Sequence, residues 1–352
     1  MRKPEIFITI EAFKKFFELY VKYRNSSEDD KKLKNVLKWK DALLERTKIH
    51  FNIDIKNETS KTIISDFEPL RVAIKNSVQG FNNIDSDGYE WDKELRENNW
   101  IIENPHSIFI LDIPEIKCEE IQEDYGQLVL NPIGMIEYGD LLFCMTHLPL
   151  KKGHSVQIIF NTINQTKLPC NTIFITDGYV LDKSNEFNSI LALLHSIMPE
   201  KLKKTTFQID IVTFDENGIL NLSSDRFIKF ENDIKSLRNY AIELNIYITR
   251  KEQFHDRNIY TNHLWYNSGH TTTFYSSENT KPYAFLNELS NKTIKRDTTI
   301  NILPILIEEN NILNQTSYNT KIEHLNKFKN IIDNHVININ KAISNRLIIS
   351  SK

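Results

Sequence analysis

Residues 171–176 read NTIFIT and residues 206–214 read TFQIDIVTF, two short apolar runs with many β-branched residues. Both are typical of buried strands. Between them, apolar residues recur at helical spacing up to a closing proline: Phe187, Ile190, Leu191, Leu194, Ile197 and Pro199. A strand, a helix and a second strand in this order predict an α/β layer structure.

The alternation continues toward the C-terminus. Apolar residues from Phe227 to Leu244 keep a spacing of three to four and predict one long amphipathic helix. Strands are predicted at 246–249, 258–262 and 300–307. A last amphipathic helix is predicted from the apolar positions Leu325, Phe328, Ile332, Ile339 and Ile343.

The first third of the chain also mixes helix and strand. Strands are predicted at 6–10 and 107–113, a helix follows the first strand, and a second, charged helix covers 29–47. The polar stretch 80–99 is typical of a surface excursion. We therefore predict a mixed α/β N-terminal domain over 1–150, a sheet-and-helix domain over 151–285, and a C-terminal strand and helix over 286–352 packed on the second domain.

Glycine is scarce, and this excludes one class of site. The 352 residues contain nine glycines, against about 25 at the usual 7% frequency. None forms G-x-G-x-x-G, and the pair Gly134 and Gly139 continues with Asp140 rather than Lys. A phosphate loop built from backbone amides is not expected.

Charge and cysteine content restrict the class further. The net charge of −3 gives no general attraction for nucleic acid. The three cysteines lack zinc-site spacing and indicate a reduced, cytoplasmic protein. We expect neither a metal nor another cofactor. The N-terminal apolar patch is too short and too charged for a signal peptide, and no apolar run reaches the length of a membrane span.

One segment has the pattern of an anion site. Residues 254–270 read FHDRNIYTNHLWYNSGH, which gives His-x-Arg, four residues, Asn, six residues and Gly. On a strand, His255 and Arg257 would share one face while Asp256 points away. A guanidinium and an imidazole side by side can hold a phosphate, and the imidazole can act as nucleophile or proton donor. Asn262 would orient the histidine.

This segment resembles the His-x-Lys, four residues, Asp, six residues, Gly-Ser motif of the phospholipase D superfamily. Together with the strands and helices from residue 171 to 275, it is similar to the phospholipase-D-like C-terminal domain of MIT-domain proteins and their bacterial relatives, which carry His-Asp-Arg. The resemblance implies a catalytic set of His255, Arg257 and Asn262. It implies no role for residues 1–150.

Further residues of the expected phosphate or substrate site come from two turns. Asp177 and Tyr179 follow a predicted strand, where open α/β sheets place ligands, although Asp-Gly is also a common turn pair. Gly269 would let backbone approach the anion, and Ser268 or His270 would hydrogen-bond it.

The departures from the family pattern bear on turnover. Arginine replaces the family's lysine, Asn262 replaces the acid, and His270 replaces the serine after glycine. The resemblance implies that hydrolysis would be metal-independent. A second motif is absent from the sequence, so hydrolysis would also need a homodimer that brings two copies of His255 together.

Several residues carry a simpler alternative. The His-Asp-Arg segment also fits a structural ion pair, Trp265 and Tyr266 fit either base stacking or core packing, and His195 fits a buried helix face. Asp112 and Asp140 would suit a metal-dependent nuclease, but without a third spaced partner they are better explained by capping.

The resemblance implies a cytosolic bacterial protein, in a multi-gene system such as phage defence, that binds and, if active, hydrolyses a phosphodiester of nucleic acid or nucleotide. The alternative is a non-catalytic interaction or scaffold subunit that binds a partner protein. Whether the protein is an enzyme stays open at this point.

Overall fold

The computed structural model describes residues 3–25, 30–52, 58–76, 78–81, 103–178, 180, 186–214, 225–250, 257–269, 292–294, 296–307, 317–335 and 345–349. The chain forms two compact units. The first consists of Met1–Cys144 and Pro304–Thr320, and the second of Met145–Leu303 and Lys321–Lys352. The units thus divide six residues before the predicted boundary at 150, and the C-terminal segment is shared between them. The α/β fold class is confirmed.

The first unit contains a parallel sheet of five strands in the order β3-β2-β1-β4-β5. Its strands are short: β1 Glu5–Ile8, β2 Lys48–Phe51, β3 Val78–Phe81, β4 Ile108–Ile110 and β5 Val129–Leu130. Strands 6–10 and 107–113 of the sequence analysis correspond to β1 and β4. Most of the polar stretch 80–99 lies outside the described residues.

Helices connect these strands and cover the sheet. They are α1 Ile10–Asn25, α2 Asp30–Asp41 with a π-helical continuation Ala42–Arg46, α3 Glu58–Asp66, α4 Glu68–Asn76, α5 Glu115–Tyr125, α6 Pro132–Glu137 and α7 Gly139–Phe143. The helix predicted at 29–47 is therefore α2 and its continuation.

Alternating side chains of the strands supply two cores, one on each face of the first sheet. Phe7 of β1 stacks on Phe109 of β4 with ring centroids 5.0 Å apart, and both pack with Cys118 and Ile121 of α5. Phe13 of α1 meets Phe51 of β2 edge to face, with centroids 5.2 Å apart. Helices α1 and α5 therefore cover opposite faces of the sheet.

The second unit is built on a seven-stranded mixed sheet in the order β6-β12-β11-β10-β7-β8-β9. The strands are β6 Thr146–Leu150, β7 Thr172–Thr176, β8 Phe207–Phe214, β9 Ile242–Thr249, β10 Arg257–Thr261, β11 Leu264–Gly269 and β12 Thr298–Pro304. Strands β7, β8 and β9 are parallel, and β10 runs antiparallel to both β7 and β11.

Helices α8 Gln157–Thr166, α9 Glu186–Ile197 and α10 Asp225–Lys235 lie between these strands, and α11 Ser317–His335 and α12 Arg346–Ile349 follow β12. Every residue of β8 is buried, which explains its near-continuous apolar sequence. In α11, Phe328 packs against Phe174 of β7 with ring centroids 5.9 Å apart. Among the described residues, no helix combines the length and apolarity that a bilayer crossing requires.

One predicted element is wrong in extent. The sequence predicted a single helix from Phe227 to Leu244, whereas α10 ends at Lys235 and β9 begins at Ile242. Residues 242–249 read IELNIYIT, which alternates with period two, and all eight pair in parallel with β8. Pairing with β8 along the whole strand stabilises the extended conformation of residues 242–249. The helical spacing of Ala241 and Leu244 is therefore a coincidence.

Candidate functional site

The candidate site lies at one edge of the second sheet, where the parallel strands β7, β8 and β9 end. Because β10 runs antiparallel to β7, its first residue, Arg257, lies at the edge where β7 gives way to Asp177. Open α/β sheets place ligands outside the carboxyl ends of their parallel strands. Asp177 and Arg257, which the sequence predicted to belong to one site, therefore lie at the same edge of the sheet.

Asp177 and Arg257 form a buried ion pair. Nε of Arg257 lies 3.2 Å from Oδ1 of Asp177, and their side chains are only 8% and 2% exposed. The amide of Asp177 donates to the carbonyl of Val212 on β8 at 3.0 Å, which fixes the carboxylate at the strand end. Burial of either charge alone would be strongly unfavourable, so each group holds the other in place.

The turn after Asp177 requires a glycine. A Cβ on Gly178 would lie 1.8 Å from Cε1 of Phe214, the last residue of β8. The carbonyl of Gly178 accepts a hydrogen bond of 3.2 Å from the hydroxyl of Thr213. The Asp-Gly pair is therefore more than a turn signal, because the missing side chain lets β7 leave the sheet beside the Phe214 ring.

Replacing this glycine tests how closely the edge is packed. We expect Gly178→Ala to lower the free energy of unfolding by about 1–3 kcal/mol, since the methyl group must displace a ring that is 4% exposed. Adding Phe214→Leu should recover part of the loss by making room for the methyl. Urea unfolding of the full chain measures both variants, and an unchanged midpoint for Gly178→Ala would contradict the packing.

The hairpin of β10 and β11 brings a second part of the motif to this edge. Gly269 is the register partner of Arg257, and the register shifts by one residue between Arg257 and Asn258. Ser268 is 7% exposed, and its hydroxyl has no hydrogen-bond partner among the described residues. Bulges are frequent beside functional sites, where they redirect a side chain. Arg257, Ser268 and Gly269, predicted to share a site, are therefore neighbours.

Three predicted site residues lie outside the described residues: His255, Tyr179 and His270. Asp256, the middle residue of the His-Asp-Arg motif, does so too. Their roles stay predictions.

Asn262 is held at the opposite end of β10. Its Oδ1 accepts a 2.9 Å hydrogen bond from the amide of Asn171, and its Nδ2 donates to Oδ1 of Asn171 at 3.1 Å. Five residues of extended chain place it about 16 Å from Arg257. The structure therefore does not bring Asn262 to the ion pair, and its contacts are those of a residue that fixes the start of β7 to the β10–β11 turn.

A buried lysine supports that turn and was missed by the sequence analysis. Nζ of Lys321 on α11 donates to the carbonyls of Thr261 and Asn262, the latter at 2.8 Å. Burial lowers the pKa of Lys321 well below its ordinary value. The sequence could have indicated this burial, because Lys321 lies four residues before Leu325 and so on the apolar face of the last helix.

Asp210 is a second buried titratable group that was missed. It lies within β8, where Nδ2 of Asn245 donates to it at 2.9 Å and the hydroxyl of Tyr247 donates at 3.2 Å. Burial raises the pKa of Asp210 to about 7, against these stabilising hydrogen bonds. The signal was a single carboxylate in the apolar run FQIDIVTF.

The aromatic residues of the motif belong to the core. Trp265 is 9% exposed, stacks on Tyr260 with centroids 5.9 Å apart, and donates its indole N–H to Oδ1 of Asn258 at 2.8 Å. Tyr266 is 4% exposed. Neither offers the free face that stacking of a base requires.

The two aspartates considered for a metal-dependent nuclease lie in the first unit and form ion pairs. Asp112 is 2.7 Å from Nζ of Lys15, and Asp140 is 2.6 Å from Nζ of Lys31. The hydrogen bond from Lys31 holds the pKa of Asp140 below its ordinary value. No cluster of three or more metal-ligating side chains occurs within the described part of the chain. The metal-dependent alternative therefore gains no support from these two residues.

Comparison with family models and with curated proteins finds no match for this sequence. Among solved structures, the chain is similar to TrmBL2, an archaeal chromatin protein whose structure shows a novel mode of DNA binding. The two are 10% identical, with a TM-score of 0.21 over 61% of this chain and 59% of TrmBL2. The chain thus spans less than two thirds of that protein, and a likeness at this TM-score carries no argument about fold or function.

Proposed function

We propose that the second unit binds the phosphate of a phosphodiester, in nucleic acid or a nucleotide, at the edge that carries Asp177 and Arg257. The observation that carries the proposal is their buried ion pair, which joins two residues far apart in sequence where parallel strands end. An arginine whose Nε–H is fixed by a carboxylate has its guanidinium plane set in advance, which suits bidentate recognition of phosphate.

Two further features support an anion site here. Ser268 contributes a buried hydroxyl beside Arg257, and Gly269 is the register partner of that arginine. His255, predicted from the sequence to share this site, would add an imidazole as a further donor. Arg257, Ser268 and His255 together would provide donors to the phosphate oxygens.

A binding measurement on folded protein tests this proposal. We expect Arg257→Lys to weaken binding of a fluorescein-labelled single-stranded DNA about 10-fold or more, because lysine keeps the charge opposite Asp177 but loses the planar fork. Arg71→Lys, an exposed arginine of α4 in the first unit, is the matched control and should bind like the wild type. Equal affinity of Arg257→Lys and wild type would reject the site.

The same ion pair also supports the alternative, a non-catalytic interaction subunit, because it lowers the positive charge available for catalysis. Asp177 neutralises Arg257, so less positive charge is left at this edge to stabilise a phosphorus transition state. A dimer that joins two copies of His255 remains the requirement for turnover by a phospholipase-D-like mechanism.

Turnover is tested with His255→Ala. Phosphodiesterase activity in EDTA that disappears in this variant, in a protein that is dimeric in solution, would support hydrolysis. Activity that survives the substitution would reject His255 as nucleophile, and an inactive monomer that still binds DNA would favour binding alone. The cytosolic bacterial setting and the role in phage defence stay predictions.

A further inference from the structure

A pocket of about 620 Å³ lies in the first unit, separate from the phosphodiester proposal. Three segments enclose it: α1, the turn that follows β4, and the residues that lead from β5 into α6. Its volume is within the usual range for small-molecule sites.

The strand order explains why a pocket forms at this position. In the order β3-β2-β1-β4-β5, the chain leaves β1 into α1 and leaves β4 into α5, and these helices cover opposite faces of the sheet. The carboxyl ends of β1 and β4 therefore lie between helices on opposite faces, which is where open parallel sheets bind ligands, and the segments that follow β4 and β5 line the pocket.

Two backbone amides at the start of α1 are not available to bind a ligand, because protein side chains accept their hydrogen bonds. The hydroxyl of Thr9 accepts from the amide of Ala12 at 3.2 Å, and Oδ1 of Asn52 accepts from the amide of Ile10 at 2.8 Å. Thr9 and Asn52 are both buried. Because the protein itself occupies these amides, the pyrophosphate position of dinucleotide-binding folds is closed, and a ligand must be recognised by side chains.

The floor of the pocket is apolar and its rim is charged. Leu19, Ile113, Pro114, Pro132 and Ile133 supply the apolar surface, and Ile133 is 58% exposed. At the rim, Lys15 is already paired with Asp112 at 2.7 Å. Glu18 and Lys22, one helical turn apart on α1, also line the pocket, and neither has an ion-pair partner among the described residues.

We propose that this pocket binds a zwitterionic small molecule with an apolar body, the chemical class of an aromatic amino acid. The apolar body would lie on Ile113, Pro132 and Ile133. Its acidic group would bind Lys22 and its basic group Glu18, the two rim charges that have no ion-pair partner among the described residues.

Isothermal titration of the full chain with three related ligands tests the charge pattern. L-tryptophan carries both groups, indole-3-propionate carries only the acid, and tryptamine carries only the amine. L-tryptophan should bind about fivefold more tightly than either analogue, the upper range for one exposed ion pair. Equal affinity for all three ligands, or no binding of L-tryptophan, would overturn the proposal.

Matched variants locate the site. Ile133→Asp should abolish L-tryptophan binding, whereas Ile116→Asp, at an isoleucine of α5 that is 60% exposed and outside the pocket, should leave it unchanged. Lys22→Gln should remove the advantage of L-tryptophan over tryptamine, and Glu18→Gln its advantage over indole-3-propionate. Full affinity in Ile133→Asp would place binding elsewhere and overturn the assignment. Arg257→Lys should not alter L-tryptophan binding, so this test and that of the phosphodiester site fail independently.

Discussion

Arg257→Met is expected to destabilise the protein by about 3–5 kcal/mol. The substitution leaves the carboxylate of Asp177, whose side chain is 2% exposed, without the guanidinium 3.2 Å away. An uncompensated buried charge is among the most destabilising single changes in a protein interior. Asp177→Asn should have an effect of similar size, because it leaves the buried arginine without its counter-charge.

The double variant decides whether the two residues act as a pair. Arg257→Met combined with Asp177→Asn removes both charges, so its loss should be well below the sum of the single losses, with a coupling of about 2 kcal/mol or more. Lys235→Met, which breaks an exposed pair with Glu231 on α10, is the control and should change stability by about 0.5 kcal/mol or less. Additive single effects, measured by urea unfolding of the full chain, would show that the ion pair does not form.

Asp210→Asn should raise stability at pH 8 and leave it nearly unchanged at pH 4. Burial raises the pKa of Asp210 in the folded protein to about 7, from an ordinary value of 3.8. Between these values the folded state binds more protons than the unfolded state, so the stability contributed by this group falls as pH rises through the window. The loss is complete above pH 7 and is on the order of 4 kcal/mol.

The measurement is the difference in unfolding free energy between Asp210→Asn and wild type across pH 4–8, which cancels the titration of every other group. The difference should grow with pH and level off above pH 7. Asp333→Asn, at an exposed aspartate of α11, should show no such trend. A flat difference for Asp210→Asn would mean that the carboxyl titrates normally in the folded protein.

Local patterns predicted the elements of the fold well where a period was clear. The runs at 171–176 and 206–214 became β7 and β8, because short β-branched runs without polar interruption fit strands buried on both faces. The end of α10 was misplaced because Ala241 and Leu244 satisfy a helical spacing by chance. The period of two in residues 242–249 competes with that spacing, and pairing with β8 decides between the two. The order of strands in the first sheet could not be predicted from local patterns, because strands that pair in parallel are far apart in sequence.

The sequence predicted which residues belong to the candidate site, but it did not predict how they are arranged in space. Spacing along β10 and β11 identified Arg257, Ser268 and Gly269, which share an edge. Asn262 was assigned to the same site from motif spacing, yet an extended strand carries it to the other end of the sheet. The partner of Arg257 within the protein depends on which strand lies next to β10, and this information is absent from the local sequence.

The division of the chain has a consequence for folding during synthesis. Residues 304–320 belong to the first unit, where Tyr318 packs edge to face on His106 with ring centroids 6.0 Å apart. The first unit is therefore the earliest to be synthesised and yet stays incomplete until the ribosome has passed residue 320, after most of the second unit has emerged. A chain that terminates shortly before residue 318 would lack only its last part, yet it would expose the surface of the first unit that Tyr318 normally covers. Such a truncated chain is therefore expected to aggregate.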